Sequence, residues 1–187
     1  MRVNKNANLN YEKKDETMKV SETIFDKCLV IATTVRKDER GTMELLYKDD
    51  SEIKQILEGF DLTEQRIYKM KKNVFFGIHR GPSKLISVIQ GKGLDYIIDL
   101  RGDSVTYKQY KTIELNEDDT KLIYIPAGFG HAFLSLSDNT IQAFAQDFKS
   151  VEGKTSPIYY QSPGINLELP VKDIIIADYD KNAEILI

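Results

Sequence analysis

From Arg66 to Phe148 the chain is a series of short apolar runs, each cut by a glycine or an Asx cluster after a few residues. Such spacing leaves no room for long helices and dictates many short strands. Residues 66–70, 85–90, 94–100, 106–115, 122–125, 132–136 and 140–148 each read as a strand. Gly91-Lys92-Gly93 reads as the turn that folds 85–90 and 94–100 into a β-hairpin. Ser137-Asp138-Asn139 is another turn, and Pro126 stops the short run before it.

Upstream, residues 27–35 form a strand around the buried run Cys28-Leu29-Val30-Ile31. Lys37-Asp38-Glu39-Arg40-Gly41 is a polar turn, and 42–47 is again extended. Asp49-Asp50-Ser51 suits a helix start. Ile53, Ile56 and Leu57 then share one helical face, and Gly59 ends the segment. The pattern implies an all-β fold, a β-sandwich or jelly roll with a few short helices. It occupies residues 18–187, behind a polar extension, 1–17.

Composition excludes several classes. The chain has 187 residues, 41% of them hydrophobic, enough for one domain with a substantial core. Lys+Arg number 26 and Asp+Glu 29, interspersed along the chain, so nothing favours nucleic acid. No apolar run nears the roughly 20 residues that cross a membrane. The first ten residues, MRVNKNANLN, lack the apolar core of a signal peptide. Cys28 is the only cysteine, which excludes an intrachain disulfide and fits a reducing, cytoplasmic setting.

Two histidines are the natural candidates for chemistry. His79 lies five residues before Lys84, with a Gly81-Pro82 turn between them. A base and a cation on neighbouring strands can take a proton from a carbon beside a carbonyl and hold the resulting oxyanion. Lys84 heads an apolar strand, so it is either an edge residue in water or an inward cation. His131 follows the rigid approach IPAGFG, which suits either an anion contact or a packed histidine. Neither histidine belongs to a His-x-His pair, and a metal is not expected. Asp99 and Arg101 read as a structural ion pair. Arg40 suits either bidentate phosphate binding or an ordinary turn.

In this order, DERG (38–41), FGIH (76–79), KLISVIQGKGLDYIIDLR (84–101), IPAGFGHAFLSLSD (125–138) and SPGINLELP (162–170) resemble the nucleotide-sugar 3,5-epimerases. Members of that family act on compounds such as dTDP-4-dehydro-6-deoxyglucose. The resemblance implies a metal-free, cupin-like jelly roll, a homodimer that exchanges N-terminal strands, and a nucleotide-diphosphate sugar as substrate. It also implies that His79 is the base, that Asp180 orients it, or Asp178 in a shifted register, and that Lys84 stabilises the enolate oxygen. Arg40, Glu44, His131 and Phe144 fall on substrate-pocket positions. Two departures stand out. Phe144 occupies the position of the family's acid tyrosine, and Phe76 replaces an arginine. The loop between His79 and Lys84 is also shorter. Three alternatives therefore stay open beside a two-centre epimerase: a one-centre epimerase, a sugar-nucleotide ketoisomerase, and a non-catalytic sugar-binding jelly roll.

Overall fold

The computed structural model describes residues 18–49, 51–150 and 156–187. The polar extension 1–17 and Asp50 of the expected helix start lie outside the described residues. The chain runs through β1 (Met18–Ile24), β2 (Cys28–Thr33), β3 (Val35–Asp38), β4 (Gly41–Glu44), α1 (Ser51–Ile56), β5 (Glu64–Met70), β6 (Val74–Arg80), β7 (Ser83–Gln90) and β8 (Lys92–Asp99). It continues through β9 (Tyr110–Asn116), β10 (Lys121–Ile125), β11 (Phe129–Ser135), β12 (Thr140–Asp147), β13 (Ser156–Ile158), β14 (Ile175–Ile176) and α2 (Asp178–Lys181).

Two sheets face each other as a cupin-like jelly roll. The first runs β1-β2-β10-β7-β12-β5, and the second runs β13-β6-β11-β8-β9, with β14 added in parallel to β6. Between them lies a core of Ile86, Val88, Ile97, Ile123, Phe129 and Phe133. The outer faces are covered too. α1 and its flank lay Ile53, Leu57 and Phe60 over Ile31, Leu85 and Tyr124 of the first sheet. The C-terminal segment lays Ile165 and Leu167 over Phe75, Ile78, Tyr96 and Ile98 of the second. Burial on both faces is why the central strands read as continuous apolar runs rather than alternating ones.

The hairpin expected over 85–100 does not form. β7 pairs with β10 and β12 of the first sheet, whereas β8 pairs with β9 and β11 of the second. Gly91, at φ +73°, lets the chain cross between the sheets. Gly93 is not a turn residue at all. It lies buried within β8, and a Cβ there would overlap the Phe133 ring. The strand expected from 106 begins at Tyr110, because the hydroxyls of Ser104 and Thr106 both donate to Asp99 Oδ2 at 2.6 Å and hold that stretch as a turn. The Asp99–Arg101 pair is structural, as its spacing implied. Arg101 Nη2 lies 2.8 Å from Asp99 Oδ2, and the guanidinium covers the Phe129 ring.

Candidate active site

One irregularity in β6 builds the site. His131 pairs with His79 and Phe133 pairs with Phe76, so β11 has one residue between these pairs where β6 has two. The extra residue is a β-bulge at Gly77-Ile78, and it re-aims the strand. Phe76 and His79 therefore both face the space between the sheets, while Phe75 and Ile78 pack outward. The Gly77 N–H donates to Asp180 Oδ2 at 3.1 Å.

Asp180 comes from α2, which docks against β6. Its side chain is buried, and its Oδ1 lies 2.8 Å from His79 Nε2. Burial alone would raise the Asp180 carboxyl. The hydrogen bonds from His79 and Gly77 outweigh it and hold the group below the usual aspartate range. A carboxylate only accepts, so in the neutral ring Nε2 carries the hydrogen and Nδ1 the free lone pair.

Lys84 faces this dyad from the opposite sheet. Its period-2 neighbours along β7, Ile86 and Val88, belong to the core between the sheets, so the lysine points inward and is not an edge residue in water. Nζ donates to the His79 carbonyl at 3.2 Å. Burial pulls its pKa down to about 8, against a smaller upward pull from Asp95. His131 Nε2 lies 2.9 Å from Asp95 Oδ2, and Asp95 is fully buried. Burial lowers the His131 pKa despite that carboxylate, which favours the neutral imidazole. The second oxygen of Asp95 is buried without a hydrogen bond.

His79, Lys84, His131 and Asp180 line a cavity of about 390 Å³ between the sheets. Of the residues singled out in the sequence, Phe76, His79, Lys84, His131, Phe144 and Asp180 meet in it. Arg40 and Glu44 do not. Arg40 is exposed at the β3–β4 turn and bonds Asp38 through Nε at 3.1 Å, and Glu44 lines a separate surface depression. Among the described residues no three His, Cys, Asp or Glu side chains converge as metal ligands would.

Further residues line the cavity that residue chemistry alone does not single out, among them Arg66, Tyr68, Gln142 and Gln146. The signal was present in their spacing, since 66 and 68 share one face of β5, and 142, 144 and 146 share one face of β12. Register confirms it, with Tyr68 opposite Gln142 and Arg66 opposite Phe144. Gln142 lines the cavity, and its Nε2 is buried with no hydrogen-bond partner.

The family model for dTDP-4-dehydrorhamnose 3,5-epimerase matches residues 22–187. The chain belongs to this family. The dTDP-4-dehydrorhamnose 3,5-epimerase of Methanothermobacter thermautotrophicus is 27% identical over 169 residues, which span 86% of this chain and 90% of the relative. That of Salmonella typhimurium is 28% identical over 163 residues, 84% and 88% of the two chains. The crystal structure of the Bacillus anthracis dTDP-4-dehydrorhamnose 3,5-epimerase, with TDP and PPi bound, superposes with a TM-score of 0.81 at 26% identity. It covers 91% of this chain and 100% of that one. Within the epimerase family, a bulged β6 holding a His–Asp dyad opposite a buried lysine is an arrangement suited to carbon-acid chemistry.

Proposed function

We propose that this chain inverts one or both carbons beside the ketone, C3 or C5, of a nucleotide-diphosphate 4-keto sugar. The observation that carries the reading is the His79–Asp180 dyad facing the Lys84 ammonium across a shared cavity. His79 Nδ1 takes the proton from the carbon next to the ketone, and the C–H electron pair moves onto the ketone oxygen. Asp180 steadies the imidazolium that forms. Lys84 donates to the enolate oxygen in a pocket where water competes poorly. Return of a proton to the opposite face inverts the centre. Arg66 supplies a cation on the cavity wall, where Phe76 supplies none.

The same reading makes the protein a cytoplasmic homodimer in carbohydrate and polysaccharide biosynthesis. Arg40 and Glu44, on the hairpin outside the chain's own cavity, then serve the partner subunit's cavity and contact its substrate. An exposed Met43 beside them supports a covered surface there.

The test is solvent exchange. In D2O the protein should place deuterium on the carbon beside the ketone of a dTDP-4-keto-6-deoxy sugar, with inversion, and His79→Asn should do neither while keeping its fold. A His79→Asn variant with full exchange would remove the dyad from the mechanism. A product with its ketone moved would identify an isomerase instead.

A further inference from the structure

Inversion needs a proton donor on the side of the sugar away from His79, and the Phe144 ring has none to give. The cavity offers a small choice among the described residues. His131 is the cross-strand partner of His79 and shares its face of the second sheet. Tyr179 sits beside His79, with ring centroids 6.1 Å apart, next to Asp180 on α2. Both are therefore on the side of the base. Lys84 is on the opposite sheet, but its Nζ is bonded to the His79 carbonyl and is committed to the oxyanion. Arg66 does not release a proton at neutral pH.

Tyr68 remains. It lies on β5, in the sheet opposite His79, and lines the same cavity. Its ring is stacked on Phe144, with centroids 5.2 Å apart and 9° between planes, and it meets Phe76 at 4.6 Å. The two rings that clamp Tyr68 are thus the two positions where the chain departs from the family pattern. Both departures replace a polar side chain by a flat apolar one, and together they make the seat for one phenol. Arg66, two residues away on the same face, lines the same cavity and is held by Glu64 Oε1 at 2.6 Å from its Nε.

We propose that Tyr68 is the acid that returns the proton, a catalytic residue one strand removed from the position now held by Phe144. This rests on the epimerase reading above. The Tyr68 O–H bond breaks as the enolate electron pair forms the new C–H bond, and the ketone is restored. The phenolate left behind is neutralised by a proton from solvent, and His79 returns its own proton to solvent.

Tyr68→Phe separates the two half-reactions and keeps both ring contacts. The experiment compares wild type, Tyr68→Phe and His79→Asn in D2O with a dTDP-4-keto-6-deoxy sugar, following deuterium and configuration by NMR. The expected result for Tyr68→Phe is continued deuterium entry with retention, because His79 still removes and returns a proton on its own face, and inversion slowed by about 100-fold or more. Inversion at the wild-type rate would overturn the assignment. So would equal loss of exchange and inversion in a folded Tyr68→Phe protein, which would mark Tyr68 as a binding residue. A wild-type chain without any exchange would overturn the epimerase reading itself, and this proposal with it.

Discussion

His79 and His131 are direct cross-strand partners, yet each is hydrogen-bonded to its own buried aspartate. The two dyads are not equivalent. Asp95 is enclosed in strand β8, whereas Asp180 arrives on α2, which packs against β6 and β13, and shares its second oxygen with Gly77. Asp180→Asn tests the difference. It keeps the shape but removes the charge that steadies the imidazolium in the proposed mechanism, so kcat should fall by about 10²-fold or more with little change in KM. The folded Asp180 carboxyl is held below its usual range, so its contribution to stability is complete above the ordinary aspartate pKa and is lost as pH falls through that range. An acid-denaturation curve of Asp180→Asn should lack that component.

In the proposed mechanism Lys84 makes activity and stability oppose each other. Its fall from the ordinary 10.5 to about 8, at about 1.4 kcal/mol per tenfold, makes the buried ammonium cost about 3 kcal/mol at pH 7. The unfolded chain holds a proton between pH 8 and 10.5 that the folded chain has released, so wild-type stability rises with pH across that window. Lys84→Met should raise stability by about 2–3 kcal/mol at pH 7, flatten that rise, and abolish turnover. In the wild type, kcat/KM should decline above about pH 8. Asp95→Asn, which removes the anion that props up the lysine, should move that decline toward neutrality. Urea titrations across pH and a pH–rate profile check all of this.

Gly93 shows where sequence reasoning stopped. Glycines at 91 and 93 around a lysine carry the local signature of a hairpin turn, and the runs on either side do form strands. Which sheet each strand joins is decided by partners far along the chain, β10 and β12 for one and β9 and β11 for the other, and no local pattern encodes that. Likewise, the inward direction of Lys84 was legible only once Ile86 and Val88 were known to face the core. Asp180 was placed in the site by family resemblance. Tyr68 sat unremarked in a short strand, because its meaning comes from Phe76 and Phe144 on two other strands. The structure gives Gly93 a different role, as the seat for the Phe133 ring. Gly93→Ala should therefore destabilise the fold by about 1–3 kcal/mol, a cost of overpacking and not of backbone strain. A matching loss at Gly102, where a Cβ would meet nothing within 4 Å, would contradict that account.

Gly77 ties the bulge to the chemistry. A Cβ there would stand 3.1 Å from both Cβ and Cγ of Asp180, tighter than ordinary contact, so the aspartate must retreat by a few tenths of an ångström. That movement lengthens the His79–Asp180 bond and rotates the imidazole, while the core on either side is untouched. Gly77→Ala should lower kcat by about tenfold, since small misplacements of a catalytic group cost disproportionately in rate. Its thermal midpoint should stay close to wild type, because α2 is short, lies at the surface and can shift as a unit. The decisive comparison is Gly77→Ala against Gly77→Ala/Asp180→Asn. If the glycine acts through the dyad, the double variant is no slower than Asp180→Asn alone. Additive losses would mean that the bulge serves the substrate pocket directly and that the dyad is insensitive to it.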